Sequence, residues 1–209
     1  MSQPVLFWDV DTQHDFMDPQ GRLRVPGACT IVRNLRRLTQ AAVAGHVPIV
    51  ASADSHPPDD PEFEQFAPHC VAGTPGQQKI IATQAEPVEV AAPARIADQV
   101  GRLMSGELAQ LVLEKQQLDV FSLPYADAVL DLVDPDHVFV YGVTTEYCVL
   151  QAVMGLRRHE RRVSVVTDAV KAIDEIAGRR ALERMREAGA DFTDTSTVLR
   201  SINKGAEHQ

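Results

Sequence analysis

The sequence predicts an α/β protein built as three layers, a mostly parallel sheet with helices on both faces. Three observations lead there. Short apolar, β-branched runs alternate along the chain with stretches whose apolar residues recur at helical spacing. The 209 residues, 44% hydrophobic and 23% charged, suffice for a single domain with a sizeable core, and no repeat or linker interrupts them. Acids, a lysine and a cysteine gather just after the apolar runs, where open α/β sheets hold their ligands.

The elements follow in order. Pro4 to Val10 is the first strand and runs into Asp9, Asp11 and then Asp15. Residues 17–27 are turn-rich and form a loop. Ile31, Leu35, Leu38, Ala42 and Val43 recur at helical spacing, predicting an amphipathic helix over Ala28–Ala44 closed by Gly45. Val47–Ala51 is a second strand. Residues 52–77, rich in Pro, His and Asp, form a loop long enough to be functional. Residues 79–106 carry little pattern beyond a short helix near Pro93–Met104. Leu108–Glu114 is a strand that delivers Lys115, and Tyr125–Val133 is a helix. Val138–Tyr141 is a buried central strand, broken by Gly142 and followed by a helix through Val149, Ala152, Val153 and Leu156. Val163–Thr167 is a strand, Glu175–Ala188 a helix closed by Gly189, and Phe192–Leu199 a last strand before a frayed tail, SINKGAEHQ.

Composition excludes several classes. A net charge of −9 argues against a nucleic-acid binder, which needs a basic face. The opening residues MSQPVLFWDV have neither a basic nor a long apolar segment, so no signal peptide is expected, and no stretch reaches the length of a membrane span. Cys29, Cys70 and Cys148 make a poor disulfide framework and suit a reducing cytoplasm.

Cys148 stands where the central strand gives way to a helix. A cysteine there is either a small core residue or a nucleophile whose thiolate is favoured by the helix N-terminus. Asp11 follows the first strand and Lys115 ends a later one, which places both on the same rim of the sheet. A lysine cation lowers a thiol's pKa, and a carboxylate accepts the thiol proton and later passes it to a leaving amine. The backbone N–H groups of Thr144 and Cys148 are candidates for an oxyanion hole. Together these residues suit acyl transfer through a thioester. The long loop carries a second cluster: Asp54 and His56, two apart at a strand end, then Glu62, Glu64 and His69. Such a set is either a polar surface or a site for one divalent ion, and mixed imidazole and carboxylate ligands suit Zn, Mn or Fe.

The same residues resemble the nicotinamidase branch of the isochorismatase-like cysteine hydrolases. Asp11-x-Gln13-x-Asp15-Phe16 is similar to the family's D-x-Q-x-D-F motif, and Val25-Pro26-Gly27-Ala28 to the V-P-G-A that follows. Asp54-Ser55-His56, Pro68-His69-Cys70-Val71 and Gly73-Thr74-Pro75-Gly76 resemble the D-x-H and P-H-C-x-x-G-T-x-G signatures. Gly142 to Val149 resembles the G-x-x-T-[DE]-x-C-V nucleophile motif, and Thr167-Asp168-Ala169 the T-D-A that closes the next strand. The resemblance implies a Cys148–Asp11–Lys115 triad, a cis peptide between Val143 and Thr144, and a metal ion held by Asp54, His56, Glu62 and His69. Glu62 is preferred to Glu64 by its spacing from His56. It also implies that the metal holds a pyridine nitrogen while Phe16 and Phe66 sandwich the ring, with Val143 and Tyr147 of the nucleophile motif beside the substrate. The expected partner is a small-molecule amide, and the expected assembly a homo-oligomer. One stretch departs: QQLDVFSLP after Lys115 lacks the glycine and the tyrosine-serine run that many nicotinamidases carry there.

Three other readings compete. Asp9-Val10-Asp11-Thr12 mimics the D-x-D-x-T nucleophile of haloacid-dehalogenase-type phosphatases, but the paired acids that mechanism needs after a later strand are missing from GVTTEYC. The same fold could act on isochorismate, a carbamoyl compound or another small amide; Asp54, His56 and His69 favour an amidase, because isochorismatases do not need the metal loop. A silent scaffold is disfavoured by the complete Asp, Lys and Cys set.

Overall fold

The computed structural model describes residues 5–206. Seven strands form one sheet: β1 (Val5–Val10), β2 (Ile49–Asp54), β3 (Val88–Val90), β4 (Gln110–Lys115), β5 (His137–Val143), β6 (Arg162–Lys171) and β7 (Asp191–Thr193), in the order β3-β4-β2-β1-β5-β6-β7. Each of the six pairings is parallel. The helices are α1 (His14–Met17), α2 (Val32–Ala44), α3 (Ile96–Ser105), α4 (Ala126–Val133), α5 (Leu150–Arg158), α6 (Glu175–Glu187) and α7 (Thr195–Ala206).

Side-chain alternation on β1 explains the three layers. Leu6, Trp8 and Val10 face one side and pack with α3, α4, α5 and α6. Phe7 faces the other side, where Leu35, Leu38 and Ala42 of α2 and Val198 of α7 meet Phe139 and Tyr141 of β5. Trp8 stacks on Phe121 at 5.7 Å, and Phe121 lies against Gly155 so closely that a Cβ there would come within 2.1 Å of the ring. That contact pins the segment after Lys115 to α5.

The strand order reverses between β1 and β5, because β2, β4 and β3 lie to one side and β6 and β7 to the other. A crevice opens at such a switch point beyond the carboxyl ends of the strands. Asp11 follows β1 there, and the chain leaving β5 leads to Cys148.

Several boundaries differ from the sequence-based expectations. The helix expected from Ala28 begins at Val32, after a 3₁₀ turn over Ala28–Thr30. Strand β2 starts later and continues to Asp54. The three-residue strand β3 is too short for alternation to show. Beyond Phe192 the chain keeps only the end of β7 and then forms α7, so the expected strand to Leu199 is largely helix. Asp194 Oδ1 accepts the Thr197 N–H at 2.8 Å, and Asp168 Oδ1 accepts the Thr195 N–H at 2.8 Å. These acids satisfy helix-start donors that a β-branched run alone conceals. The expected frayed tail begins inside α7, and residues 207–209, like Pro4 of the first strand, lie outside the described residues.

Candidate active site

The end of β1 delivers Asp11 in a left-handed backbone conformation, φ 48°, that few side chains other than Asp and Asn tolerate. Its carboxylate is fully buried and accepts a hydrogen bond from Ser52 Oγ at 2.6 Å. The end of β4 delivers Lys115, whose ammonium lies 2.9 Å from Asp11 Oδ2, against Asp54 Oδ1, and 3.5 Å from Cys148 Sγ. Cys148 sits in a single π-helical turn over Thr145–Val149 that leads into α5. Such turns occur often at functional sites. The Val143–Thr144 peptide before it is cis.

Burial pushes the Cys148 thiol well above its ordinary value; Lys115 opposes this, while Asp11 and Asp54 add to it. The helix end and the lysine were visible in the sequence, but the two carboxylates that share that lysine, and the exclusion of water, arise only on folding. Burial likewise raises Asp11, against the pull of Lys115, which makes it a better proton acceptor. Lys115 resists the effect of burial because Asp11, Asp54 and Cys148 hold its charge. Burial thus pushes both the thiol and the Asp11 carboxyl up, while the lysine between them is held charged by its acidic neighbours.

The second cluster adjoins the first through Asp54. Its Oδ1 meets Lys115, and its Oδ2 lies 3.8 Å from both His56 Nε2 and His69 Nε2. Glu62 Oε1 lies 3.8 Å from His69 Nε2, whereas Glu64 is exposed. Both imidazoles are oriented from behind: His56 Nδ1 meets Asp60 Oδ2 at 3.0 Å, and His69 Nδ1 meets the Ala67 carbonyl at 2.8 Å. That leaves each Nε2 facing the cluster, the arrangement in which outer groups fix histidine ligands. His56 Nε2 is buried with no hydrogen-bond partner among the described residues. Burial opposes charge on His56, yet the neighbouring Asp54 carboxylate and the hydrogen bond to Asp60 carry its pKa up to about 9. One ligand atom from each of Asp54, His56 and His69 falls within 4.8 Å of the others. An unsatisfied nitrogen among carboxylates fits a divalent cation, which would take the place of the proton.

A pocket of about 290 Å³ opens onto both clusters. Phe16, Phe66, Thr144, Tyr147, Cys148, Asp54, Glu62 and His69 line it, together with Leu23, Leu118 and Ile173. Phe66 stands edge-on to Tyr147 at 5.5 Å. The Val143 side chain does not line this pocket; it points into the fully buried core between β5, α2 and α7, so it meets the site only through the peptide shared with Thr144. Sequence reasoning missed Asp60, which lay four residues beyond His56, and Phe63, which packs edge-on to both histidines. It also missed Leu23 and Ile173, brought in from distant loops with no local signal. Glu146 Oε1 secures Ile173 by accepting its N–H at 2.8 Å.

Residues 6–197 match the isochorismatase domain family. Isochorismatase family protein 1A of Dictyostelium discoideum is 33% identical over 76 residues, covering 36% of this chain and 37% of that relative's own length. The nicotinamidase/pyrazinamidase of Mycobacterium tuberculosis is 27% identical over 195 residues, 90% of this chain and 97% of that protein. Among solved structures, the pyrazinamidase of Pyrococcus horikoshii in complex with zinc superposes with a TM-score of 0.76 at 24% identity, covering 91% of this chain and 98% of that one. The N-carbamoylsarcosine amidase of Thermoplasma acidophilum superposes with a TM-score of 0.72 at 26% identity, over 92% and 96% of the two chains. With the domain matched from β1 to the start of α7 and the same fold in its structural neighbours, this chain belongs to the isochorismatase family.

Proposed function

We propose that the chain is a metal-containing cysteine amidohydrolase that converts nicotinamide and water to nicotinate and ammonia. The observation that carries this reading is the division of Asp54. One oxygen joins the Lys115–Asp11–Cys148 group and the other faces His56 and His69, so nucleophile and cation site share one pocket.

The amide carbonyl enters beside Cys148. Asp11 takes the thiol proton as Sγ bonds to the carbonyl carbon, and Lys115 stays charged to balance the carboxylates. The Thr144 and Cys148 backbone N–H groups receive the developing oxyanion. Asp11 then protonates the leaving nitrogen, the C–N bond breaks, and ammonia departs from a thioester. Water attacks that thioester with Asp11 accepting its proton; the C–S bond breaks and the thiol is restored. When bound by Asp54, His56, Glu62 and His69, a divalent ion (Zn, Mn or Fe) supplies a Lewis-acid contact for the ring nitrogen. Phe16, Phe66 and Tyr147 give a flat ring aromatic neighbours.

The second reading is another small amide or a carbamoyl compound, favoured by the likeness to the carbamoylsarcosine amidase and by Leu118, which the altered segment after Lys115 places in the pocket wall. Charge bears on the choice. The residues that line the pocket include Asp54 and Glu62 but no Lys or Arg. Holding a divalent ion would occupy those acids, and with Lys115 already engaged no cationic side chain is left to clamp a remote carboxylate, which a neutral carboxamide does not need. The test is ammonia release from nicotinamide and from N-carbamoyl amino acids. Turnover of the carbamoyl acids with none of nicotinamide would replace the first reading by the second.

A further inference from the structure

Three acidic or amide side chains leave the end of β1 at alternate positions: Asp11, Gln13 and Asp15. The mechanism uses only the first. Gln13 is fully buried. Its Oε1 accepts the Asp54 N–H at 2.7 Å, and its Nε2 donates to the Asp54 carbonyl at 2.8 Å and to the Gln77 carbonyl at 2.6 Å. The side-chain amide thus pairs with both backbone groups of Asp54, as a neighbouring strand would. That hold fixes how the Asp54 carboxylate divides between Lys115 and the histidines. Asp15, 6% exposed, serves the other side of the cluster. Its Oδ2 accepts the Cys70 N–H at 2.7 Å and its Oδ1 the Arg22 N–H at 3.1 Å. Cys70 directly follows His69 and has a φ of 45°, so the turn that carries His69 depends on an outside partner. Gly76 passes over the Asp15 carboxylate so closely that a Cβ would lie 2.2 Å from Oδ2.

We infer that Gln13 and Asp15 are positioning residues that hold Asp54 and His69 in register with Asp11, so that one stretch of chain sets both the base and the cation site. This rests on the proposed metal reading. Neither residue faces the substrate pocket; each acts through the ligand it holds.

The isosteric variants Gln13→Glu and Asp15→Asn test it. In the first, an oxygen replaces the nitrogen that donates to two carbonyls. In the second, an amide nitrogen replaces an oxygen that accepts an N–H. Metal-stripped proteins are titrated with zinc chloride by calorimetry, melting curves check the fold, and iodoacetamide alkylation of Cys148 is followed by mass spectrometry. Both variants should bind zinc at least about tenfold more weakly than wild type, as outer groups of metal sites do. Gln13→Glu should also shift the rate of Cys148 alkylation by more than about twofold, because a displaced Asp54 changes the charge balance around Lys115 and the thiol. Asp15→Asn should leave alkylation within about twofold of wild type. Steady-state kinetics with nicotinamide should show a rise in KM for Asp15→Asn and a fall in kcat with it for Gln13→Glu. Should either variant fail to fold, Gln13→Asn and Gly76→Ala probe the same two holds. Zinc affinity unchanged in folded variants overturns the inference. Wild-type protein that takes up no zinc rejects the metal reading instead, and unaltered Cys148 alkylation in Gln13→Glu then overturns the positioning role as well.

Discussion

Removing the Lys115 ammonium strands two buried carboxylates, Asp11 and Asp54, and takes away the cation 3.5 Å from the thiol. Lys115→Ala is therefore expected to lose activity and also stability, by about 3 kcal/mol, since one partner of a buried ionic group has gone. A thermal melt beside an activity assay checks both; a fully active Lys115→Ala would remove the lysine from the chemistry. Cys148→Ala should behave differently. Its side chain is small and uncharged, so the melt should stay close to wild type while turnover falls on the order of a thousandfold or more. The residue types at the site were legible in the sequence because Asp11, Asp54, Lys115 and Cys148 each follow an apolar run. What was not legible is their electrostatics: a lysine beside a thiol lowers its pKa, and the opposing push from burial and from two acids sharing that lysine arises only on folding.

At the scale of elements, β5 carries two testable demands. Gly142 has φ 118°, and a Cβ there would lie 2.0 Å from the Val10 carbonyl oxygen, at the point where β5 loses register with β6. Gly142→Ala should cost about 3 kcal/mol through strain and overpacking, read as a lower Tm. His137 opens β5 with Nε2 2.8 Å from Ser164 Oγ. Burial, with Arg162 nearby, lowers its pKa to about 4 from the ordinary 6.5. Above 6.5 the ring is neutral in folded and unfolded chains alike. Between 6.5 and 4 only the unfolded chain takes up the proton, so stability falls as pH drops through that window and levels off below it. Allowing for partial exposure, the loss is about 2 kcal/mol. Denaturant unfolding at pH 7 and pH 4.5 should show a smaller difference for His137→Gln than for wild type; equal differences would refute the assignment. The strands were readable where they are long and wholly buried, as β1, β4 and β5 are. β3 was missed because three residues leave no period, and α7 was mistaken for a strand because β-branched Thr195, Thr197 and Val198 outweighed the capping acid Asp194.

Across the whole molecule, the parallel sheet places Asp11 after β1, Asp54 at the end of β2, Lys115 at the end of β4 and Cys148 after β5, all at one rim. The pocket walls come from segments that no periodicity marks, including Leu23 before α2, Phe66 in the long loop and Ile173 before α6. That is why the gathering of Asp11, Asp54, Lys115 and Cys148 was legible from sequence and the shape of the pocket beside them was not. Among the described residues, no helix is long and apolar enough to cross a membrane. Stripping divalent ions with a chelator should leave the sheet and its melt largely intact, since His56, Glu62 and His69 lie on the loop after β2, but should depress turnover until an ion is restored. The central claim is that a cation beside Cys148 reads the ring nitrogen of a flat amide, and kcat/KM for nicotinamide, pyrazinamide and benzamide on the metal-loaded protein tests it most directly. Nicotinamide and pyrazinamide should be turned over, and benzamide, which lacks the nitrogen, should be poorer by about a hundredfold or more. Equal values for benzamide and nicotinamide would contradict the account.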